Sequence, residues 1–345
     1  VVVDTTGSPA FAAANDRLDR WVAVEVGGAG GVALADVDAA VTVFETACYD
    51  CLCARVASGT TESSATADAP TGTRSAVRYA GAFAGRAVVQ LLTGDSVGDT
   101  VREVPGTTRH LLAAPGCSCG DAPDAALPRA DRSRSVSAAI DRAERAVDAR
   151  IGLLTDVGER ESFPVPYYVS RLADTTPFSD VSAAAFAGGA ADDWDVAFMK
   201  ALGEGLERYA AGVYDSSAVT TAPAADVQDP VTPDAFVRPD DATRYDPDDR
   251  LAWVRGEALA TGAVRQLPAE FVHFPPPERR YRPPITTGLG LGNSGPAAAL
   301  AGLYEVAERD ATMTPWYAPT EPLGLHVDDP VPPRLRKPHR AEALS

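Results

Sequence analysis

Two short motifs hold the residues best suited to chemistry, Glu204-Gly-Leu-Glu207-Arg208 and, further along, Glu305-Val-Ala-Glu308-Arg309. On a helix, positions i, i+3 and i+4 share a face, so each E-x-x-E-R gathers two carboxylates and a guanidinium on one side. A single copy is commonly a solvated face braced by its own Glu–Arg pair. Two copies, each set among apolar and small residues, read instead as a lining. Val196-Ala-Phe-Met-Lys200 leads into the first, and Ala297-Ala-Ala-Leu300-Ala-Gly-Leu303-Tyr304 into the second. Four converging carboxylates repel each other unless a cation bridges them. Hard oxygen donors suit Mg²⁺, which usually also takes substrate phosphates, and arginines are natural phosphate partners. The pair suggests a Mg²⁺–nucleotide site between two helices. Lys200, one turn before Glu204, is expected to form an i,i+4 pair with it.

The second chemical cluster is cysteine. All five cysteines lie between positions 48 and 119. Cys48-x-x-Cys51 and Cys117-x-Cys119 are two close thiol pairs separated by a helical stretch, and together they can close a tetrahedral Zn²⁺ site. Cys53 is left over and could replace one ligand. Free buried thiols and redox chemistry are the other readings.

The elements that would position these groups follow from pattern. Residues 21–26 read as a strand running into a Gly-rich turn, and 33–43 as a helix. Gly28-x-Gly30-x-x-Ala33 formally matches a dinucleotide fingerprint, but a plain Gly-rich turn is the simpler account. Residues 58–74 read as a flexible polar loop, 76–92 as a helix and 109–114 as a strand. An amphipathic helix is expected over 136–150, with strands at 151–155 and 165–169. The first motif helix should start near Asp192 or Asp193, either a fair N-cap. Strands are expected at 251–254 and 270–274. The run 285–295 is a Gly-rich turn feeding the second motif helix.

Length and composition bound the class. The 345 residues suffice for about two domains. The net charge of −17 argues against nucleic acid and anionic membranes as partners. No apolar run reaches the ~18 residues of a membrane span. Lys200 and Lys337 are the only lysines. An acidic, lysine-poor, alanine-rich chain fits a halophilic, high-salt cytoplasm, and equally a GC-rich genome. The expected location is cytoplasmic.

Residues 136–317 resemble the YcaO family of ATP-dependent enzymes that modify peptide backbones. The resemblance rests on an ordered series: Ala139-Ile-Asp-Arg-Ala-Glu-Arg145 with Arg150-Ile-Gly152, then Ala201-Leu-Gly-Glu204-Gly-Leu-Glu207-Arg208-Tyr209. Trp253-Val-Arg-Gly256, Gly262 and Leu267-Pro268-Ala269 follow, and then Thr287-Gly-Leu-Gly-Leu-Gly-Asn293 with Glu305-Val-Ala-Glu308-Arg309. Residues 15–120 resemble, through Ala47-Cys48-Tyr-Asp-Cys51-Leu52, Gly81-Ala-Phe, Leu91-Leu92-Thr93-Gly94 and Pro115-Gly-Cys117-Ser-Cys119-Gly120, the zinc-binding carboxyl-terminal part of the ThiF-like protein that accompanies or is fused to YcaO in azoline biosynthesis.

The resemblance implies an α+β fold, YcaO-like mixed sheets with flanking helices, preceded by a small zinc-bearing α/β module. It implies domains at 1–120 and 136–317, a linker at 121–135 and an irregular Pro-rich tail at 318–345. It implies cyclodehydration or thioamidation of a peptide through ATP-dependent phosphorylation of the amide oxygen. Glu204, Glu207, Arg208, Asn293, Glu305, Glu308 and Arg309 would hold ATP and Mg²⁺, and Cys48, Cys51, Cys117 and Cys119 a structural Zn²⁺. No catalytic residue is assigned. Expected partners are a peptide or protein substrate, a ThiF-like protein and a second copy in a homodimer. Three departures stand against the family pattern: Ala201 where a Ser is usual, Ala297 near an expected Glu, and a short, proline-rich end. They support an alternative, a degenerate paralogue acting as a peptide-binding scaffold, or a chain truncated after about residue 313.

Overall fold

A computed structural model describes residues 1–59, 69–95, 97–119, 129–131, 135–214, 219–238 and 240–318. Most of the expected polar loop, the linker and the tail fall outside these residues.

The first unit is built on a five-stranded sheet in the order β1 (Val2–Thr5), β2 (Trp21–Val26), β5 (Ala39–Phe44), β6 (Thr100–Val104), β7 (Thr107–His110). β1 and β2 are parallel, and the other pairs are antiparallel. β3 (Gly28–Ala29) and β4 (Val32–Ala33) form a small hairpin between β2 and β5. The expected helix over 33–43 is therefore the end of β4, a turn at 35–38 and most of β5. Ala39-Ala-Val-Thr-Val-Phe44 is buried at every position. A strand covered on both faces shows no alternation, so its apolar run imitates a buried helix.

Helices cover both faces. On one, α1 (Pro9–Asn15) and α2 (Tyr49–Gly59) pack over Trp21, Ala23, Ala40 and Phe44. On the other, α3 (Arg74–Thr93) lays Ala76, Ala80, Ala84 and Ala87 against Val22, Val24, Val41 and Val43. That spacing places four methyl groups along one stripe, so the helix can approach the sheet closely. Thr73 caps its start, and Gly94, at φ 82°, ends it in the left-handed conformation.

The second unit carries two antiparallel three-stranded sheets. One is β8 (Leu154–Glu161), β9 (Tyr167–Leu172) and β10 (Phe186–Ala190), covered by the long α5 (Trp194–Gly212). The other is β11 (Thr220–Ala222), β12 (Leu251–Glu257) and β13 (Val264–Pro268), packed on Tyr245, Phe271 and Tyr281. α4 (Val136–Ala143) continues as a 3₁₀ turn to Ala146, shorter than the expected 136–150 helix. The strand expected at 270–274 does not form; Ala269–Phe271 is a 3₁₀ turn. The reason lies in Glu270, whose buried carboxylate accepts the backbone N–H groups of Arg280, Tyr281 and Arg282 at 2.8, 2.7 and 2.9 Å. The last element is α6 (Gly295–Tyr317), in which Gly302 alone is buried among the described residues.

The two units share a polar seam. Ile151 packs into the first core. Arg109 pairs with Glu103 and Asp148 at 2.8 and 2.9 Å, and Arg150 with Asp36 and Glu103 at 2.6 and 2.8 Å. Arg55 is 2 % exposed. Its Nε donates to the Leu112 carbonyl at 3.2 Å, Nη2 to that of Ala113 at 2.7 Å, and Nη1 to the Tyr209 hydroxyl at 2.5 Å.

Candidate functional site

α5 begins where Asp193 accepts the Val196 N–H at 3.0 Å. Its inner face runs Ala201, Gly205 and Tyr209, four apart, against the sheet. There is no room to spare: a Cβ on Gly205 would meet Ser170 Oγ at 2.5 Å, and one on Gly189 of β10 would meet the Ala201 nitrogen at 2.3 Å. This packing turns Glu204, Glu207 and Arg208 onto the neighbouring face.

The glycine-rich strip 288–292 lies between the two motif helices. A Cβ on Gly292 would strike Ala298 N at 2.4 Å, one on Gly290 would strike Ala298 O at 2.3 Å, and one on Gly302 would strike Gly288 O at 2.5 Å. The alternate residue Leu291 instead reaches α5, 3.6 Å from where a Gly203 Cβ would be. Glycines thus press on α6 while the leucine face meets α5. The glutamates clasp the strip: Glu305 accepts the Gly288 N–H at 3.1 Å, and Glu207 takes a backbone bond from Leu291.

Glu204, Glu207, Arg208 and Glu305 are thereby brought together. Arg208 pairs with Glu204 and lies 3.7 Å from Glu207, and Arg309 braces Glu305 at 2.8 Å. Burial, then the nearby Glu204, raise the Glu207 pKa above 4.5, with Glu305 adding to the rise. Three carboxylates drawn together, one of them half-buried with its pKa raised first by burial and then by its acidic neighbours, fit a divalent cation. Glu308 sits exposed on α6, and Asn293 lines the same cavity as Glu204 and Glu207. Lys200 does not pair with Glu204; it donates to the Ala190 carbonyl at 3.2 Å, while Glu204 is taken by Arg208.

The raised Glu207 pKa carries a stability sign. The folded chain holds that proton at a pH where the unfolded chain has lost it. Glu207 therefore contributes stability at low pH that disappears as pH rises through its folded value. Glu207→Gln is expected to raise the thermal midpoint of the metal-free chain at neutral pH and to flatten its fall as pH rises above the ordinary glutamate range. A midpoint lowered by the substitution would contradict this.

The cavity beside these groups measures about 960 Å³ and is walled by α4, α5 and residues 291–295. Arg142 and Arg145 line it, both exposed.

The expected cysteines also meet. Sγ of Cys48 lies 3.4 Å from Cys117 and 3.7 Å from Cys51, Cys51 lies 3.3 Å from Cys119, and all four fall within 4.8 Å of one another. A tetrahedron with Zn–S of about 2.3 Å has edges near 3.8 Å, so the donor set fits zinc. The buried Ala114 N–H donates to Cys51 Sγ at 3.1 Å, as a thiolate ligand favours. Cys53 faces away, toward Tyr49 and Glu25; burial first, then Glu25, push its thiol up to about 12. It takes no place in the cluster.

The Gly27–Gly31 run is a turn around a buried acid. Glu25 accepts the N–H groups of Gly30 and Gly31 at 2.8 and 3.0 Å and the hydroxyls of Thr6 and Tyr49 at 2.9 and 3.1 Å. Donors that a dinucleotide would need are already used. Sequence reading passed over Arg55, Tyr209 and Glu270, since their roles are set by distant partners. No motif marks them, although an Arg inside an otherwise buried helix face is a signal in itself.

Residues 188–344 match the family described as YcaO cyclodehydratase, ATP- and Mg²⁺-binding. The match begins inside the expected 136–317 span and runs through the tail. Comparison with curated proteins finds no significant match. Among solved structures, a heterocyclase in complex with substrate and cofactor is similar at 17 % identity and TM-score 0.66, over 92 % of this chain and 52 % of that one. The heterocyclase TruD is similar at 18 % identity and TM-score 0.57, over 92 % of this chain and 49 % of its own. At these identities the likeness is one of fold, and the chain spans about half the length of either structure.

Proposed function

We propose, from the match of residues 188–344 to the YcaO family, that this chain takes part in ATP- and Mg²⁺-dependent modification of a peptide or protein backbone amide. The reaction class is addition of a nucleophile to the carbonyl carbon, transfer of a phosphoryl group from ATP to the amide oxygen, and loss of that oxygen with phosphate. A Cys, Ser or Thr side chain as nucleophile gives an azoline; external sulfide gives a thioamide. The observation that carries the reading is the meeting of Glu204, Glu207 and Glu305 across the glycine strip.

In this reading ATP and Mg²⁺ supply the phosphoryl group and the charge that activates it. The chain's residues position and neutralise, as phosphoryl transfer requires. Glu204, Glu207, Glu305 and Glu308 hold the cation, Arg208 and Arg309 fix the carboxylates, and Asn293 orients the nucleotide. Cys48, Cys51, Cys117 and Cys119 hold a structural zinc. The proposed partners are the peptide substrate, a ThiF-like protein and a second copy of the chain.

Mg²⁺-dependent ATP binding tests the proposal. Wild type is expected to bind, and Glu305→Ala to weaken binding by about tenfold to a hundredfold, as expected for losing a charge-assisted contact. Glu308→Ala is expected to act in the same direction. Failure of the wild type to bind ATP with Mg²⁺ would sink the proposal. A second reading, a non-catalytic peptide-binding scaffold, is favoured by Ala201 and Ala297 at positions where the family carries polar groups. It predicts peptide binding with no release of ADP.

A further inference from the structure

We propose that the free edge of β10 receives an extended peptide as an added strand, beside the cavity lined by Glu204 and Glu207. The inference rests on the peptide-modification reading above and gives the peptide its docking place.

β10 stands at the end of the sheet β10–β9–β8, with no strand beyond it among the described residues. The direction of its backbone groups follows from two flanking bonds. The Leu172 N–H donates to the Ala185 carbonyl at 3.0 Å, and the Ala191 N–H to that of Pro166 at 3.3 Å. In an antiparallel ladder every second residue turns its backbone groups to the neighbour. Residues 185, 187, 189 and 191 therefore face β9, while Phe186, Gly188 and Ala190 turn N–H and C=O outward. All three are exposed. Among the described residues the outward groups of Phe186 and Gly188 meet no partner, and the Ala190 carbonyl accepts from Lys200 Nζ at 3.2 Å.

Sheet edges in proteins are guarded by charge, proline or a bulge. β1 carries Asp4, β7 carries Arg109 and His110, and β13 is covered at Gln266 by residues 229–231. Phe186-Ala-Gly-Gly-Ala190 has no charge and no proline, and its register against β9 is unbroken. An uncharged row of backbone donors and acceptors matches one chemistry, another extended main chain.

The side chains favour a peptide over a second copy of the same edge. Two copies would set Ala and Gly against Ala and Gly, with little cross-strand contact to hold them. A peptide brings its own side chains, and the edge leaves them room. Gly188 and Ala190 are small, Phe186 and Tyr167 are exposed, and the Tyr167 hydroxyl lies 2.6 Å from where a Gly188 Cβ would be. Such an edge reads backbone and tolerates many side chains, as modification of backbone amides requires. Lys200 links it to the candidate site. It lies one turn before Glu204 on α5, and both line the cavity of about 960 Å³. The edge thus ends at Ala190 beside a residue of the cavity wall.

The test uses the full chain and a fluorescent, end-blocked peptide that alternates valine and serine around one cysteine. Two further peptides carry N-methyl groups on alternate amides, one on the odd and one on the even positions. An edge reads every second amide of its guest. One methylated peptide is therefore expected to bind about a hundredfold more weakly than the parent and the other to stay within about threefold of it. Ala190→Pro removes an outward N–H and no bond to β9; it is expected to weaken the parent peptide about tenfold, and Ala190→Ser, which keeps the N–H, by less than about threefold. Thermal midpoints are the folding control, and the methylated peptides test wild type alone. Equal affinities of the two methylated peptides, unchanged affinity in Ala190→Pro, or no binding of the parent peptide to wild type each overturns the inference. A dimer that becomes monomer on Ala190→Pro with peptide affinity retained assigns the edge to a second copy and overturns it too. Mg–ATP titrated in parallel separates the edge from the reading beneath it. Discrimination between the methylated peptides without Mg–ATP binding upholds the edge and removes the ATP reading. Mg–ATP binding with no such discrimination keeps the ATP reading and removes the edge.

Discussion

Replacing Cys51 by serine is expected to strip the metal from the chain and to lower its thermal midpoint by on the order of 10 °C. Cys51 is fully buried, lies 3.3 Å from Cys119 and receives the Ala114 N–H. Its loss therefore removes a ligand and leaves a buried donor poorly satisfied. Structural zinc binding is worth roughly 10 kcal/mol or more in small domains, and at ~5 kcal/mol of that lost the midpoint moves by about 10 °C. Metal analysis should fall from about one zinc per chain to near none. Cys53→Ser should leave the zinc content as it was, since Cys53 packs toward Tyr49 and Glu25. Zinc content that survives Cys51→Ser, or disappears with Cys53→Ser, would refute the ligand set.

Arg55→Ala is expected to cost about 3–5 kcal/mol, the range for breaking a buried charged network. Three nitrogens serve three acceptors on two separate parts of the chain, and truncation leaves the Leu112 and Ala113 carbonyls without their donor. Arg55→Lys should recover little, because an ammonium cannot span the fork. The consequence is more than a loss of stability. Arg55 sits one turn after Cys51 on α2, and Tyr209 directly follows the first motif on α5. Denaturant unfolding should therefore separate into two steps, one sensitive to zinc chelation and one not. A single unshifted transition would show that the bond to Tyr209 couples nothing.

Parts of this arrangement can be read from the sequence because their signals are local. Asp193 caps α5 as its residue type suggests, α3 follows its alanine spacing, and the cysteine pairs meet as their spacing allows. β5 imitates a helix in sequence because it is buried on both faces, which erases the period of two that marks a strand. β10, Phe186-Ala-Gly-Gly-Ala190, has almost no strand propensity; it exists because β9 pairs with it and because α5 crosses at Gly189. Glu270 reads as part of a strand until its three partners from 280–282 are seen. In the candidate site the acids were legible from their i, i+3 spacing. That Glu305 and Glu207 are joined through backbone was not, because that depends on how the strip folds between two distant helices.

The strip itself works as a gauge. The gap between the two acidic motifs is set by the thickness of one extended backbone, with no side chain between it and α6 at Gly290 and Gly292. Side-chain packing can be retuned by many substitutions; a backbone spacer cannot. A saturation library across 287–293 should therefore show a comb: nearly every change lost at 290 and 292, and wide apolar tolerance at 289 and 291. The period of that comb would come from the alternation of Gly290 and Gly292 with Leu289 and Leu291, and its depth would measure how tightly the separation of the acids is held.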